Sequence, residues 1–450
     1  MTGPGLKVGG PRRAVLIASA YLAIAMTFIA EGAYNAMALP IQVDFGMTVE
    51  ASNLLRAVPE TAGLAVVFVA GALAVRFGRR TMMVFASSAF AVGSALMSLA
   101  PSAEVLIVAR SISGLGSVAL TVVGLSLIHL TFTDSERRGS AFGVVAALTP
   151  AVFLIVPTLS GLVCDTAGWR VVPALLAILA VVLLVLARTS VPVGGSKPAA
   201  TEMVTPTLAG IVLSALCVAV SSIVERGPLT PVAVVITVVG TVLLVVLMRR
   251  LPNPGLDLRT LRTPGGLAAT TAVFLVFCVT LSFYISVFLQ ARYAYGVTHT
   301  ALLISLCEIA GIGGALAIGR LAGRVGSRRA AVLSLSATAV LSLLFLLIPA
   351  TSSVWLFIGI AVLVSFPNLG SFGPVTEHML DLAPQDGSDA TSALQEAAAS
   401  LGYVIGAVLI VFVAFNGFEA SLSHRLQTRG VSAPDAQAIA ADLRSGDPHR

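Results

Sequence analysis

Charged residues are scarce in this sequence. Asp, Glu, Lys and Arg make up 11% of its 450 residues, whereas hydrophobic residues make up 57%, and the mean hydropathy is +0.98. Soluble domains carry about 25% charged residues. The composition therefore excludes a water-soluble globular protein.

Cysteines and the common catalytic motifs are few or missing. The four cysteines lie in or at the ends of apolar runs, without metal or redox spacing, and are interpreted as packing residues: Cys164, Cys217, Cys278 and Cys307. The sequence contains no H-E-x-x-H zinc motif and no phosphate-binding Walker loop. It therefore predicts no metal, no cofactor and no use of ATP. Because it also has no nucleophile–base constellation, it predicts no enzyme.

Long apolar runs occupy most of the chain. A bilayer span needs about 20 apolar residues, and thirteen suitable runs are predicted as membrane helices, so the lipid bilayer is the first expected partner. They are residues 14–40, 52–75, 81–101, 105–131, 140–163, 171–188, 206–224, 230–248, 265–290, 300–319, 330–350, 353–376 and 392–416. The first run is longer than the apolar part of a signal peptide and is expected to be retained.

The basic residues orient these helices. With the N-terminus inside, 18 of the 27 Lys and Arg residues lie in cytoplasmic segments, as expected for a membrane protein. The net charge of +6 is therefore attributed to topology, and no nucleic-acid partner is expected. Because only two of the 27 are lysine, which is typical of a GC-rich bacterial genome, the predicted location is a bacterial cell (inner) membrane, with a cytoplasmic N-terminus.

One motif occurs twice at matching places. The second span ends in Gly71-Ala-Leu-Ala-Val-Arg-Phe-Gly78 and the tenth in Gly319-Arg-Leu-Ala-Gly-Arg-Val-Gly326, and basic residues follow both. The alternative is that any inner loop is rich in Gly and Arg. The matching places favour a duplicated carrier with two pseudo-symmetric bundles. The copies lie eight helices apart instead of six, which predicts two inserted helices. The inner-gate residues of the motifs are Gly71, Arg76, Gly78, Arg79, Arg80, Gly319, Arg324 and Gly326.

Further motifs resemble the major facilitator superfamily, and within it the fourteen-helix drug:proton antiporters. Arg110-Ser-Ile-Ser-Gly-Leu-Gly116 is similar to the R-x-x-Q-G-x-G motif of helix 4. Ala30-Glu-Gly-Ala-Tyr-Asn-Ala-Met-Ala-Leu-Pro40 is similar to the L-D-x-T-x-x-N-x-A-L-P motif of helix 1, with Glu31 in place of Asp. Val156-Pro157-Thr-Leu-Ser-Gly161 resembles a degraded G-P-x-x-G-G exporter motif of helix 5, carried by Pro157 and Gly161.

The resemblance implies an all-α integral membrane protein of the major facilitator fold, with two six-helix-type bundles, two inserted central helices and about 13 transmembrane helices seen. The expected organisation is a cytoplasmic N-terminus (1–13), an N-terminal bundle (14–188), a cytoplasmic loop (189–205), two inserted helices (206–248), a second cytoplasmic loop (249–264), a C-terminal bundle (265–416) and a polar extracellular tail (417–450).

The sequence departs from the family pattern in three ways, and one of them is that Val156 and Ser160 weaken the helix-5 motif. Val75 and Gly323 replace the family's Asp in the two loop motifs, so an inner-gate latch built on that carboxylate is in doubt. The sequence also stops at Arg450, before the fourteenth helix of the family. This end is expected to be either natural, in a protein of thirteen helices, or a truncation.

Ionisable residues inside spans are candidate functional residues, because they are costly there unless they are paired or face a cavity. Glu31 and Arg110 are predicted to lie at similar depth and to form a proton-coupling pair, a role the family resemblance also implies. The alternative is an ion pair that only fixes helix packing. Tyr34 and Asn35 share a face with Glu31 and are expected to line the substrate cavity.

Three more carboxylates lie within spans. Glu60 is assigned to proton coupling, although it lies four residues after Arg56 and the two could simply pair with each other. Glu308 lies in the middle of helix 10, where the nearest charge in sequence is Arg320, and is assigned to a cationic-substrate site. Glu396 joins that site, unless it is only an acid in the first turn of its helix.

These observations predict a proton-coupled secondary transporter that exports lipophilic, cationic drugs or toxic compounds, with protons and a small-molecule substrate as partners. One alternative is a dedicated exporter of one endogenous metabolite, or an importer. Another is a sensor or scaffold that has a carrier fold and does not transport. Proton flux on substrate addition separates carrier from scaffold.

Overall fold

The structure is a computed structural model that describes residues 11–47, 49–132, 134–193, 202–225, 230–251, 254–279, 285, 289, 297–348, 353–384 and 387–406. Within these residues the chain forms thirteen α-helices. They are α1 (Pro11–Asp44), α2 (Val49–Phe77), α3 (Arg79–Ser98), α4 (Ala103–Thr131), α5 (Ser135–Ala167), α6 (Val171–Ser190), α7 (Val204–Glu225), α8 (Thr230–Arg250), α9 (Pro264–Cys278), α10 (Val297–Val325), α11 (Ser327–Ser342), α12 (Val354–Asp381) and α13 (388–406).

The predicted helices are found where the apolar runs lie. Ten of the described helices are long and apolar enough to cross a membrane, and Val204–Val220 and Pro264–Cys278 are shorter apolar helices. Several helices are longer than the predicted spans. For example, α5 begins at Ser135 instead of 140, where the Asp134 side chain caps it by accepting the backbone N–H of Arg137. Several predicted segments lie wholly or partly outside the described residues, at positions 1–10, 194–201, 252–253, 280–290 apart from 285 and 289, 349–350, 407–416 and 417–450.

The duplicated motif ends in the same backbone conformation in both copies. Gly78 has φ 83° directly before α3, and Gly326 has φ 91° directly before α11. Residues other than glycine rarely adopt positive φ. Each final glycine of the motif therefore permits the tight turn between two antiparallel helices, which gives the repeat a structural cause.

The helices of each half pack mainly on one another. In the first half α4 contacts α1, α2 and α3, while α6 contacts α3 and α1. In the second half α12 contacts α9, α10 and α11. Between the halves, α5 packs against α10 and α12, and Gly71 of α2 lies against the backbone of Asp389 in α13. The two halves therefore meet along α5–α10 and α2–α13.

The helix pair α7–α8, which the sequence predicts to be an insertion, lies against α2. Gly210 of α7 is so close to the Ala65 carbonyl oxygen that a Cβ would be 2.1 Å from it, and Ser214 Oγ donates to the Thr61 carbonyl at 2.8 Å. Cys217 of α7 packs in one apolar cluster with Leu64 of α2 and with α13. The insertion thus covers the seam between α2 and α13.

A clasp closes the base of this insertion. Glu202 Oε2 accepts the backbone N–H of Gly255 at 3.1 Å, and its Oε1 accepts the backbone N–H of Thr205 at 2.9 Å. Thr205 Oγ1 in turn accepts the N–H of Leu256 at 3.1 Å. Desolvation opposes ionisation of Glu202, but hydrogen bonds from Thr205 and Gly255 outweigh it and lower the pKa of its carboxyl group.

Candidate functional site

Glu31 of α1 and Arg110 of α4 form the predicted ion pair. Arg110 NH2 donates to Glu31 Oε1 at 3.1 Å, and the arginine side chain is 3% exposed against 22% for the glutamate. Arg110 Nε also donates to the Leu55 carbonyl of α2 at 2.9 Å. The guanidinium is therefore fixed from two sides, whereas the carboxylate keeps access to the space beside α1.

The ring of Tyr34 completes this arrangement. It lies 3.7 Å from the Arg110 guanidinium and is 1% exposed, so it supports the arginine and does not line an open cavity in this conformation. A polar contact between Thr27 and Thr121, at 2.9 Å, joins α1 to α4 one turn away. Asn35, in contrast, is exposed on the face of α1 that carries Glu31.

Carboxylates from both halves surround this pair. Glu60 lies within electrostatic range of Glu31, Arg110, Arg56 and, from the second half, Glu396. Arg56 also hydrogen-bonds the Tyr403 hydroxyl group of α13. Because α13 begins at residue 388, Glu396 lies in its third turn, so the interpretation as a first-turn acid is wrong. The structure therefore brings three of the four predicted carboxylates to one place, between α1, α2, α4 and α13.

Glu308, the fourth predicted carboxylate, lies on α10. It is 8% exposed, beside Cys307, which packs against Phe357 and Ile358 of α12. Its assignment to the substrate site stays a prediction.

Several arginines gather at one end of the helices. Arg79, Arg138, Arg324 and Arg328 lie at one end, which we call the arginine-rich end. There Arg79 NH2 binds Asp389 Oδ2 at 2.7 Å, and Arg79 Nε donates to Ser126 Oγ and to Asp389 Oδ1 at 3.0 Å. Arg79 begins α3 and Asp389 begins α13, so this ion pair joins the two halves.

A second cluster joins α5 to α12 at the same end. Arg138 Nε lies 3.3 Å from Glu377 Oε1, and Arg138 NH2 lies 2.9 Å from Asp381 Oδ1. Ser327 Oγ donates to Asp381 Oδ2 at 3.3 Å. In both clusters the first half supplies the arginine and the second half supplies the carboxylates.

Glycines let α5 and α10 touch at this end. A Cβ on Gly139 would be 2.4 Å from the backbone nitrogen of Gly323, and one on Gly319 would be 2.4 Å from the Cα of Gly143. Small residues permit such close helix approach. A side chain at position 323, such as the Asp of the family pattern, would run into the backbone of Glu136 in this structure.

The close approach of these helices is not repeated at Gly161. This residue lies 18 residues, or five helical turns, beyond Gly143 on α5, and a Cβ there would meet nothing within 4 Å. Pro157, the other residue of the helix-5 motif, packs beside Gly32 of α1. The described contacts between α5 and the second half therefore concentrate at the arginine-rich end.

The remaining residues of the loop motifs serve these contacts or lie beside them. Gly71 meets Ala393 and the Asp389 carbonyl group, and the guanidinium of Arg76 lies 5.1 Å from the Phe77 ring centroid. Arg80 donates to the Arg188 backbone carbonyl, whereas Arg324 is exposed at the end of α10.

Sequence reasoning missed four of the residues that close this end. Arg138 was counted only as one of the cytoplasmic basic residues, and Glu377, Asp381 and Asp389 fell in a loop between two predicted spans. The available signal was an acidic segment, 377–389, on the side of the membrane where the arginine loops were expected.

Comparisons with known proteins agree with this geometry. A family model described as the Major Facilitator Superfamily matches residues 20–407. The multidrug resistance protein Stp of Mycobacterium tuberculosis (strain CDC 1551 / Oshkosh) is 28% identical over 388 residues, which cover 85% of this chain and 72% of the relative. The multidrug efflux pump LfrA of Mycolicibacterium smegmatis (strain ATCC 700084 / mc(2)155) is 27% identical over 441 residues, covering 95% and 88%.

A solved structure shares the fold. The human organic anion transporter MFSD10 (TETRAN) matches with a TM-score of 0.63 at 14% identity, over 89% of this chain and 93% of that one. At this identity the likeness concerns the fold alone. The predicted all-α membrane fold is confirmed.

Proposed function

The chain belongs to the Major Facilitator Superfamily, and on that premise we propose that it is a proton-coupled exporter of lipophilic, cationic drugs or toxic compounds in a bacterial cell membrane. The relatives named as a multidrug resistance protein and a multidrug efflux pump support this substrate class. Major facilitator proteins are transporters, so an enzymatic activity is not part of the proposal.

The Arg110–Glu31 pair carries the proposal. A carboxylate at membrane depth is stable when it is paired or protonated, and Glu31 is exposed enough for a proton to reach it. Protonation removes its charge and weakens the bond to Arg110. Since Glu60 and Glu396 lie within electrostatic range of one another, a cationic substrate competes with protons for the same negative site. Competition of this kind couples the two movements in opposite directions.

We assign the arginine-rich end to the cytoplasm, with the N-terminus on the same side. This orientation places most basic residues inside and puts Gly161, where a Cβ would meet nothing within 4 Å, toward the outer face. The bundles 14–188 and 265–416 rock about the site. A cysteine introduced at Arg79 should then resist an impermeant reagent in intact cells, and efficient labelling would reverse the orientation.

Proton flux tests the coupling. In proteoliposomes that contain a pH-sensitive dye, adding a cationic substrate should move protons against substrate, and Glu31→Gln should abolish the flux while retaining some binding. The matched control is Glu104→Gln, which makes the same change in the first turn of α4, outside the ion-pair group. A Glu31→Gln variant that pumps like wild type defeats the coupling scheme. If none of the substrates tested moves protons in the wild type, the sensor or scaffold alternative is favoured.

The acidic groups of the second half set the substrate charge in this proposal. Glu396→Gln and Glu308→Gln should each reduce export of a dication more than export of a matched monocation, and export of a neutral analogue least. Losing one charge-assisted contact costs about 1.5–3 kcal/mol, or at least tenfold for the dication. Equal losses across the series would demote these residues to packing roles and favour a dedicated exporter of a neutral metabolite.

A further inference from the structure

The two ion-pair clusters at the arginine-rich end differ in their charge balance. Arg79 faces one carboxylate, Asp389, in a two-point contact, and the hydroxyl groups of Ser126 and Ser388 complete its coordination. Arg138 faces two carboxylates, those of Glu377 and Asp381. The first cluster is balanced, whereas the second holds one negative charge too many if both acids are ionised.

The burial of the second cluster makes this excess expensive. The side chain of Glu377 is 2% exposed and that of Arg138 is 16% exposed. Glu377 and Asp381 are one helical turn apart on α12, so they face the same guanidinium. Two like charges that share a buried site do not both ionise without a large cost.

The hydrogen bonds show which carboxylate oxygen lacks a donor to stabilise its charge. Both oxygens of Asp381 have donors, from Arg138 and from Ser327. Glu377 Oε1 has Arg138, but Glu377 Oε2 is buried and accepts no hydrogen bond from the described residues. A buried carboxylate oxygen without a donor carries the full cost of desolvation, and that cost falls when the oxygen binds a proton.

We propose that the Glu377–Asp381 pair binds one proton when the arginine-rich end closes and releases it when α5 and α12 separate, which makes this gate a second proton site apart from Glu31. The inference rests on the proposed alternating movement of the two halves. The proton comes from water at the arginine-rich end, is bound by a carboxylate oxygen of the pair, and returns to the same water when the gate opens. No covalent bond changes other than the O–H bond to this proton.

The surrounding groups do not cancel this excess charge. On α12 itself His378 is half-buried, α11 contributes Ser327 and the exposed Arg328, and α10 ends with the exposed Arg320 and Arg324. From α4, His129 is within electrostatic range of Arg138 and Arg79. α9 presents Thr270 to Met379. In the described part of the chain Arg138 forms the ion pairs with these carboxylates, while His378 lies within electrostatic range of Asp381 without an ion pair.

The consequence is a defined dependence on pH. Because the closed state holds one proton more than the open state, acid favours closure. The ratio of closed to open molecules should rise up to about tenfold for each unit by which the pH falls, until both states are protonated. Substrate is not needed for this effect.

Distances across the gate provide the test. Thr81, near the start of α3, and Val332, near the start of α11, are exposed at the arginine-rich end and lie outside both clusters. Cysteines at these positions would carry spin labels in a full-length protein whose four native cysteines are alanine and whose Glu31 is glutamine. Pulsed electron resonance in lipid nanodiscs, without substrate, would give the closed fraction over a series of pH values.

Three variants separate the possible outcomes. The parent should close as the pH falls. Glu377→Gln should lose the pH dependence and remain closed, because one arginine then faces one carboxylate; Asp381→Asn leaves the same balance and decides the matter if the first variant does not fold. Asp389→Asn, in the balanced cluster, should lower the closed fraction at every pH but keep the slope.

A parent without a slope, or a slope that survives both Glu377→Gln and Asp381→Asn, overturns the proposal. Because the distances require neither substrate nor a gradient, these outcomes do not depend on whether the protein exports drugs. A failure of proton flux in proteoliposomes with an intact slope in the distance measurement would instead count against the proposed export function alone.

Discussion

Arg79 and Asp389 lie 310 residues apart in the chain, yet their side chains form a two-point ion pair across the interface of the two halves. The loop motif beside Arg79 has lost its own carboxylate, since Val75 stands in its place. An ion pair nevertheless joins the two halves beside this motif, and its acid comes from the first turn of α13; we call this pair the latch.

Exchanging the two charges of this latch should preserve it. Asp389 is 3% exposed and Arg79 is 29% exposed, so removing the acid leaves a largely desolvated arginine. We expect Asp389→Asn to shift the gate toward the open state and to reduce export roughly tenfold. The double variant Arg79→Asp/Asp389→Arg should recover at least part of that loss in the same vesicle assay. A double variant no better than the worse single variant would mean that the contact is incidental.

Gly323 should tolerate no side chain. A Cβ at this position would be 2.6 Å from the Glu136 carbonyl oxygen of α5, whereas a Cβ at Gly359 of α12 would meet nothing within 4 Å. Gly323→Ala should therefore push α10 away from α5 and destabilise the closed gate by about 1–3 kcal/mol. Gly359→Ala should be neutral or slightly stabilising, since alanine favours helix. Thermal unfolding and the cross-gate distance would measure both; equal effects of the two substitutions would remove the steric argument.

The sequence predicted the fold and the central ion pair for the same physical reason. An apolar run of about 20 residues has few alternatives to a membrane helix, and an isolated charge within such a run must find a partner, which identified Glu31 and Arg110. The gate carboxylates gave no comparable signal. Glu377 and Asp389 lie near helix ends, where charge is ordinary, and Arg138 lies 239 residues before Glu377. Only the packing of α5 on α12 reveals that Arg138 and Glu377 meet.

Gly323 also shows that the sequence does not reveal the surroundings of a residue. In the sequence it is a missing carboxylate, which suggested a weakened gate. In the structure it is one of the points where α5 and α10 come into close contact. A pattern shows that a residue is absent, but the reason for the absence depends on what occupies the space around it.

Arg110→Lys should not be a conservative change. The guanidinium donates to Glu31 and to the Leu55 carbonyl at the same time, and its flat face lies 3.7 Å from the Tyr34 ring. A lysine ammonium group cannot reproduce this planar arrangement. We expect proton-coupled export to fall at least tenfold, although the charge is retained.

The control for this prediction is Arg12→Lys, at an exposed position in the first turn of α1. Coupled efflux and proton flux would be measured on both variants at equal expression. Wild-type coupling in Arg110→Lys would show that only the positive charge matters, and that the geometry around Tyr34 and Leu55 has no role.

The clasp at Glu202 should open in acid. Hydrogen bonds from Thr205 and Gly255 lower the pKa of the Glu202 carboxyl group despite its desolvation, so the folded state binds the proton less readily than the unfolded state. Its stabilising contribution is therefore fully present above the ordinary glutamate pKa. It is lost as the pH falls through the lowered folded value.

Hydrogen exchange at the Gly255 amide would measure this opening directly, because that N–H donates to Glu202 at 3.1 Å. After correction for intrinsic rates, protection should fall as the pH drops below the ordinary carboxyl range, and Glu202→Gln should expose the amide about tenfold more at neutral pH. The matched control is Asp257→Asn, since the side chain of Asp257 binds Arg259 within the same segment. If both variants left Gly255 equally protected, the segment after α8 would be held by its packing against α7, and the carboxylate of Glu202 would contribute nothing to the attachment of the inserted pair.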